Sequence, residues 1–516
     1  MGKPEFQLAG FKFKTRNGNE YFYDDNTGMV FYCPEILWEI LNLYKNNSKA
    51  KIFKTLSGKY LDKNLQNYYN FFNRWANKSN AFFFIEDKKK SISPSEKEIV
   101  QYLSSNGFRQ LILNITDECN LRCKYCIYSG NYSYSRLHNK NKMSFDIAKM
   151  AIDYYFTMFK KVWKRNPYRK PSVCFYGGEP LLNFSLIKKI ITYVKSKFPE
   201  LKDILTFNIS TNGTLLIEPI FDYLISNDVA IAVSLDGNKY EHDRLRVDKK
   251  GKGTFSKVMK NLQKLMNKYP NYKMLIILSC YDWKTDIFCV KNFFNENLLN
   301  VKEGASSYLL KTSEIASFFT GYYNQYDETD RKTFAEKMGM LEEEYFNRAI
   351  KSKKPTKDYL DYLIGLNCNM VLFQQKPFLG ARLTSLPYTS TCVPGEKLFV
   401  RHDGTYHMCE KINHHFPIGN VEQGLNIESI INIIALYNQQ ISPNCASCPI
   451  KRYCPVCYAN TATQEGFLKD PPNRCESNIE YCKNRLSYIF SILEENPAAF
   501  VAGMGDYYKN GWEVDT

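Results

Sequence analysis

From residue 108 to about 310 the chain alternates short apolar runs with longer stretches of helical periodicity. That alternation is the pattern of parallel strands joined by crossover helices. It predicts strands at 110–115, 172–177, 204–210, 230–235, 273–280 and about 304–310, with helices at 145–163, 185–197, 217–227, 255–268 and 286–296. Six such βα units make an α/β fold. In it, ligands gather at the carboxyl ends of the strands.

The first 95 residues follow another rhythm. Phe11–Thr15 and Glu20–Tyr23 alternate with period two about Arg16–Asn19, whose Asn-Gly pair is a hairpin turn. Asp25–Gly28 turns the chain into a third strand, Met29–Tyr32, and Pro34 opens an amphipathic helix through Ile36, Leu37, Ile40, Leu41 and Leu43. A further helix is expected at Tyr68–Trp75 and a strand at Ala81–Ile85, and the polar stretch Asp87–Glu98 reads as a linker. Residues 311–390, helical near 329–350 and 356–366, read as a bridging insertion. Residues 485–516 read as a C-terminal helix and tail.

Composition narrows the class. The 516 residues are 44% apolar, an ordinary globular content. No apolar run reaches the ~18 residues of a membrane span, and the start lacks a signal-peptide core. A cytoplasmic enzyme without a membrane partner is therefore expected. In that compartment 16 cysteines read as metal ligands rather than disulfides. The net charge of +16 admits an acidic partner, peptide or nucleic acid.

Chemistry concentrates where the first long strand ends. Cys119, Cys123 and Cys126 share one short loop with no fourth cysteine beside them. A structural zinc site closes four ligands. Three thiolates on a loop suit one face of a cuboidal iron–sulfur cluster, leaving one iron open. A second array holds Cys392, Cys409, Cys445, Cys448, Cys454, Cys457, Cys475 and Cys482. On spacing alone, zinc and iron stand about level there.

With Tyr125 before its last cysteine, the loop resembles the signature of the radical S-adenosylmethionine enzymes, and the array resembles their SPASM domain. The closest pattern is that of peptide maturases such as the thioether-forming sactisynthases. The resemblance implies S-adenosyl-L-methionine and three 4Fe-4S clusters. One sits on Cys119, Cys123 and Cys126, a distal one on Cys445, Cys448, Cys454 and Cys475, and a proximal one on Cys392, Cys409 and Cys457. No cysteine lies between Cys392 and Cys409, so the proximal cluster is closed by Cys482 or Cys368 or keeps an open iron. The resemblance assigns Gly177, Gly178, Glu179, Ser210, Asn212, Ser234, Arg246 and Tyr125 to the cofactor, with Asp236 and Glu410 as candidate catalytic groups. It implies a partial (β/α)6 TIM-like barrel at 108–310 and a SPASM domain at 391–484. Residues 1–95 resemble a winged-helix-like leader-binding module, whose strand 29–32 would add a peptide strand. The implied partners are a precursor peptide with a leader and an electron donor of flavodoxin or ferredoxin type. Other peptide modifications stay open: carbon–carbon crosslinking, epimerisation and sulfatase maturation, the last disfavoured because it needs no leader-binding module. Nucleic-acid modification, which the charge recommends, is the disfavoured rival. A zinc-bearing interaction protein is the third reading.

Overall fold

The computed structural model describes residues 8–44, 46–84, 93–299, 309–316, 320–352, 358–374, 389, 391–441, 445, 448–468 and 472–500. Ile85, the first half of the expected linker (87–92), the start of the sixth strand (304–308), residues 356–357 and the tail beyond 500 lie outside the described residues.

The alternating first segment forms an antiparallel sheet of β1 (Gly10–Lys14), β2 (Glu20–Asp24) and β3 (Met29–Tyr32), in that order. Helices 35–44, 49–56 and 62–79 follow; the middle one, capped by Ser48, was not foreseen. Asp24 anchors this unit. It is fully buried, and its carboxylate accepts from Thr27 N at 2.8 Å, Thr27 Oγ1 at 2.6 Å and Phe82 N at 2.8 Å. That bond holds residues 81–84 across the hairpin end, so the expected strand is reduced to a single bridge between Leu8 and Phe83. Phe82 adopts a positive φ of 75°. Its ring packs on Phe22, Phe31 and Phe72, which is how burial overrode strand propensity. Nor does the linker run to Glu98: Ser95 and Glu98 form a capping box that starts a helix at Glu96.

The six apolar runs become parallel strands: β4 (Gln110–Thr116), β5 (Ser172–Gly177), β6 (Thr206–Thr211), β7 (Val229–Ser234), β8 (Leu275–Tyr281) and β9 (Leu309–Glu314). Four further strands extend the sheet past β4. They are β10 (Lys397–Val400), parallel to β4, then β11 (Thr405–His407), β12 (Gly419–Asn420) and β13 (Gly424–Leu425). The two ends of the sheet are thus β9 and β13.

Each parallel strand has two different faces. Val173, Phe175, Phe207, Ile209, Val229, Ile231, Val233, Leu275 and Ile277 share one core with the crossover helices. The helix at 145–165 shows why: its buried residues recur at helical spacing, from Ala148 through Ala151, Ile152, Tyr155 and Phe156 to Phe159. The alternate strand residues point away from the helices, and small or polar ones stand there among Ile112, Ile276, Leu278 and Leu309. They include Cys174, Asn208, Ser210, Ala232, Ser234, Cys280 and Lys311. Period two therefore sets an apolar outer face against a functional inner one.

Beyond β8, a buried ion pair fixes the segment after β9. Arg244 donates to both oxygens of Asp282 at 2.8 Å, and Tyr322 and Tyr326 donate to Asp282 Oδ2 at 2.6 Å each. Burial opposes ionisation of Asp282, but Arg244 and the two phenols outweigh it and hold the carboxyl well below its usual range. Because the folded pKa is depressed, the network stabilises fully above the ordinary carboxylate range and loses its contribution as pH falls below it. Asp282→Asn is expected to cost about 1–3 kcal/mol, since Arg244 and the two phenols lose a charged partner while Arg244 keeps Glu241 at 2.8 Å. Denaturant titration at pH 7 and at acid pH checks this, the mutant deficit shrinking on the acid side.

The N-terminal unit is tied to the last cysteine array. Arg452, between Cys448 and Cys454, donates from its backbone to Asp25 Oδ1 at 2.9 Å and from its side chain to Asp25 O and Asn26 O at 2.6 and 2.7 Å. Phe11, Phe13 and Tyr23 share a small core with Ile450, Tyr453, Cys482 and Leu486.

Candidate functional site

β4 delivers the cysteine loop to the carboxyl end of the sheet, and β5 closes against it through two glycines. Gly177 has a φ of 142°, and a Cβ there would sit 2.2 Å from Thr116 O; one on Gly178 would sit 2.3 Å from Glu118 O. Only glycine allows this approach. It lets Gly178 N donate to Thr116 O and Glu179 N to Glu118 O, at 2.7 and 2.8 Å. Asp117 pins the loop from the other side, accepting from Asn114 at 2.6 Å and Asn139 at 3.0 Å, with His402 Nε2 at 3.2 Å. Burial works against that carboxylate, but His402, Asn114 and Asn139 hold it down at about 2.

Each of the three thiols has an N–H aimed at it. Leu121 N lies 3.4 Å from Cys119 Sγ, Tyr128 N lies 3.4 Å from Cys126 Sγ, and an Arg246 guanidinium nitrogen lies 3.7 Å from Cys123 Sγ. Asn212 Nδ2 adds a fourth donor, 3.8 Å from Cys119 Sγ. Burial nevertheless pushes all three thiols up to about 11, each raised further by another of the trio. Thiols with donors directed at sulfur, one buried and two half-buried, suit a bound cationic centre, which displaces their protons. Among the described residues no three His, Cys, Asp or Glu side chains converge on the position of one ion. Closed zinc would bring thiolates to about 3.8 Å from one another. Three thiols on one loop leave one corner of a cuboidal cluster open, whereas a structural zinc site takes four ligands.

Glu179 is wholly buried beside the loop. It accepts from Thr211 Oγ1 at 2.7 Å, Asn212 N at 2.7 Å and Leu181 N at 3.1 Å. Burial raises its pKa to about 7 against those bonds. Such a carboxylate gains from a cationic partner such as an ammonium group. Ser210 and Ser234 stand half-buried on the inner face at the ends of β6 and β7. Asn212 is engaged differently from the expectation. Its amide braces the loop through Asn120 at 2.9 Å and through Cys119.

Arg246 is also committed. It donates to Asp236 Oδ2 at 2.8 Å, and that oxygen accepts from Tyr125 OH at 2.7 Å. Asp236 Oδ1 accepts from Cys280 N at 3.0 Å. Arg246 lies over the Tyr125 ring, 5.3 Å from its centre. Arg246 and Asp236 thus form a buried pair under the loop, where the sequence suggested separate contacts to a ligand. Thr211, Asn120, Cys280 and the Asn114–Asp117–His402 set were not foreseen. Asn114, Thr211 and Cys280 lie in strands, while Asn120, Asp117 and His402 lie in the turns beyond them.

The second array separates into two neighbourhoods. Cys454, pushed up to about 12 by burial, lies within electrostatic reach of Cys448, Cys445 and Cys475; Cys392 and Cys409 each feel Cys457. A cavity of about 450 Å³ is lined by Cys392, Cys454, Cys457 and Cys482. Cys368, fully buried, packs instead with Tyr345, Arg485 and Tyr488. Glu410 follows Cys409. Its Oε2 is buried with no hydrogen-bond partner among the described residues, and it lies near Cys174 and Lys311.

Residues 113–280 match the family model of the Radical SAM superfamily. Over 171 residues the chain is 32% identical to a cysteine-type anaerobic sulfatase-maturating enzyme of Clostridium novyi, covering 33% of this chain and 43% of that one. Over 279 residues it is 25% identical to the radical SAM cyclopropyl synthase TigE of Paramaledivibacter caminithermalis, covering 52% and 56%. The chain thus spans about half the length of these relatives. The solved structure of native anSMEcpe with bound AdoMet and Kp18Cys peptide superposes with a TM-score of 0.50 at 19% identity, covering 77% of this chain and 99% of that one, which shows a shared fold. No helix among the described residues is long and apolar enough to cross a membrane.

Proposed function

We propose that this chain, whose residues 113–280 are a radical S-adenosylmethionine domain, is a maturase that modifies a ribosomally made precursor peptide by forming a thioether to a substrate cysteine. The observation that carries the reading is the site itself: one buried and two half-buried thiols with donors directed at sulfur, a buried carboxylate beside them, and a second set of thiols in the same chain. A 4Fe-4S cluster with S-adenosylmethionine bound to it supplies a 5′-deoxyadenosyl radical.

The chain's own residues would do the rest. Cys119, Cys123 and Cys126 hold the cluster, and Glu179 takes the cofactor ammonium. Gly177 and Gly178 hold the approach open, and Ser210, Ser234 and Tyr125 line the cofactor. Asn212 braces the loop. Asp236 and Arg246 act as a positioning pair, turning Tyr125 and a cationic donor toward the thiols. Cys445, Cys448, Cys454 and Cys475 suit one auxiliary cluster, and Cys392, Cys409 and Cys457 another. Cys482 lines a cavity with Cys392, Cys454 and Cys457 and packs beside Cys448, so it stands between the two sets, and Cys368 is held elsewhere. Joining C–H to S–H removes two hydrogens. One leaves as an atom; the other leaves as a proton, for which Glu410 Oε2 offers an acceptor. The surplus electron gives a second redox array its purpose. The leader would pair with β3, a flavodoxin- or ferredoxin-type donor would supply the first electron, and the cytoplasm is the compartment that fits.

The test is incubation of reconstituted, reduced enzyme with the short peptide encoded beside its gene. Loss of two hydrogens per link is expected in the mass spectrum. Formation of 5′-deoxyadenosine with an unchanged peptide mass would count against thioether formation.

A further inference from the structure

β9 is one open edge of the sheet, and β10 is the last strand of its parallel part at the other side, carried on by the antiparallel β11. The pleat puts Leu309 of β9 on the inner face with Ala232 and Ile276, and Phe399 of β10 there with Ile112 and Cys174. Lys311 and Lys397, two residues from each, therefore point inward as well. Lys411, just after Glu410, comes within electrostatic reach of Lys311 and of Cys280. Three ammonium groups from separate elements thus gather at one opening beside the site. Some lysines of this chain are paired, as Lys12, Lys149 and Lys268 are. These three make no ion pair among the described residues, and Glu410 lies within electrostatic reach of Lys311. Lys311 is open to solvent yet enclosed by protein, as the wall of a cleft is. Burial and the like charges of Lys411 and Lys397 hold its ammonium below the usual lysine range. Uncompensated like charges at an opening are unfavourable until an anion arrives.

We propose that Lys311, Lys397 and Lys411 form a subsite for an acidic side chain of the substrate peptide, which sets the stretch that enters beside the thiol loop. This rests on the peptide-maturase reading.

The test is amine footprinting of the reconstituted, S-adenosylmethionine-loaded enzyme with acetic anhydride, read by mass spectrometry. Its probes are two ten-residue Gly/Ser peptides, one carrying a single central Glu and the other a single central Gln. The Glu peptide is expected to slow labelling of Lys311, Lys397 and Lys411 by about fivefold or more, the effect fading with salt, and the Gln peptide to leave it unchanged. Equal effects of the two peptides, or none, overturn the proposal; saturation of the site by S-adenosylmethionine alone would show as none. A Lys311→Gln/Lys411→Gln variant should lose the discrimination, and Lys311→Arg/Lys411→Arg should keep it. The two readings fail separately. A footprint with the neighbouring-gene peptide unmodified defeats only the maturase reading. A peptide linked at equal rates before and after its acidic residues are amidated defeats only the subsite.

Discussion

Replacing Cys119, Cys123 and Cys126 together by Ala is expected to bring S-adenosylmethionine cleavage to background and to lower bound iron from about twelve to about eight atoms per chain. The reason lies in the loop's construction. Its backbone is held by contacts that do not use the sulfurs: Asp117 to Asn114, Asn139 and His402, and Gly178 and Glu179 to the carbonyls of Thr116 and Glu118. Removing three small thiols leaves that frame intact, so unfolding would not explain a loss of iron. The donors aimed at sulfur would lose their acceptors, and Arg246 would keep Asp236 as its partner. Iron analysis, the absorption near 400 nm (roughly the region of thiolate-to-iron charge transfer) and thermal melting of the variant form one experiment. An unchanged iron count, or unchanged 5′-deoxyadenosine release, would remove the basis of the whole functional reading. A zinc-rich, colourless wild-type preparation would do the same.

The parallel sheet was legible because its strands are apolar on consecutive residues and its helices repeat at 3.6, two signals that seldom coincide by chance. The helix expected at 255–268 spans the same residues in the structure, and strand β5 has its expected limits. Where local propensity and burial disagreed, the sequence misled. Ala81–Phe84 reads as a strand, yet three neighbouring rings and Asp24 decide its course. The cysteine loop and Glu179 were legible as chemistry, since few other roles suit those residues at that spacing. The pairing of Arg246 with Asp236 was not, because it joins the end of β7 to a helix end ten residues on across a fold not yet known. The lysines at the opening were hidden for a similar reason. Each is unremarkable in its own segment, and only the sheet's open edge brings them together.

Tyr32→Pro is expected to abolish most leader affinity while leaving the N-terminal sheet folded. In β3 the amide of Cys33 faces β2, donating to Glu20 O at 2.8 Å. Alternation then turns Phe31 and Met29 toward β2 and leaves the N–H and C=O of Val30 and Tyr32 on the outer edge. No described strand pairs with that edge, and Tyr32 is 54% exposed. Proline at Tyr32 deletes one outward donor and no bond to β2, the position an edge strand tolerates. A lost backbone hydrogen bond within an added strand, with the register it fixes, is worth about 1–3 kcal/mol, or roughly a fivefold to hundredfold weaker complex. Anisotropy with a labelled leader peptide measures the affinity, and thermal melting checks that the sheet persists. Amide exchange supplies the independent reading: peptide binding should protect Val30 and Tyr32 in the native chain while leaving Phe31, already bonded to β2, unchanged. Equal affinity in the variant, or protection confined to the helices at 35–79, would place the leader elsewhere. The contacts of Arg452 with Asp25 and Asn26 would then be a structural joint with no bearing on substrate capture.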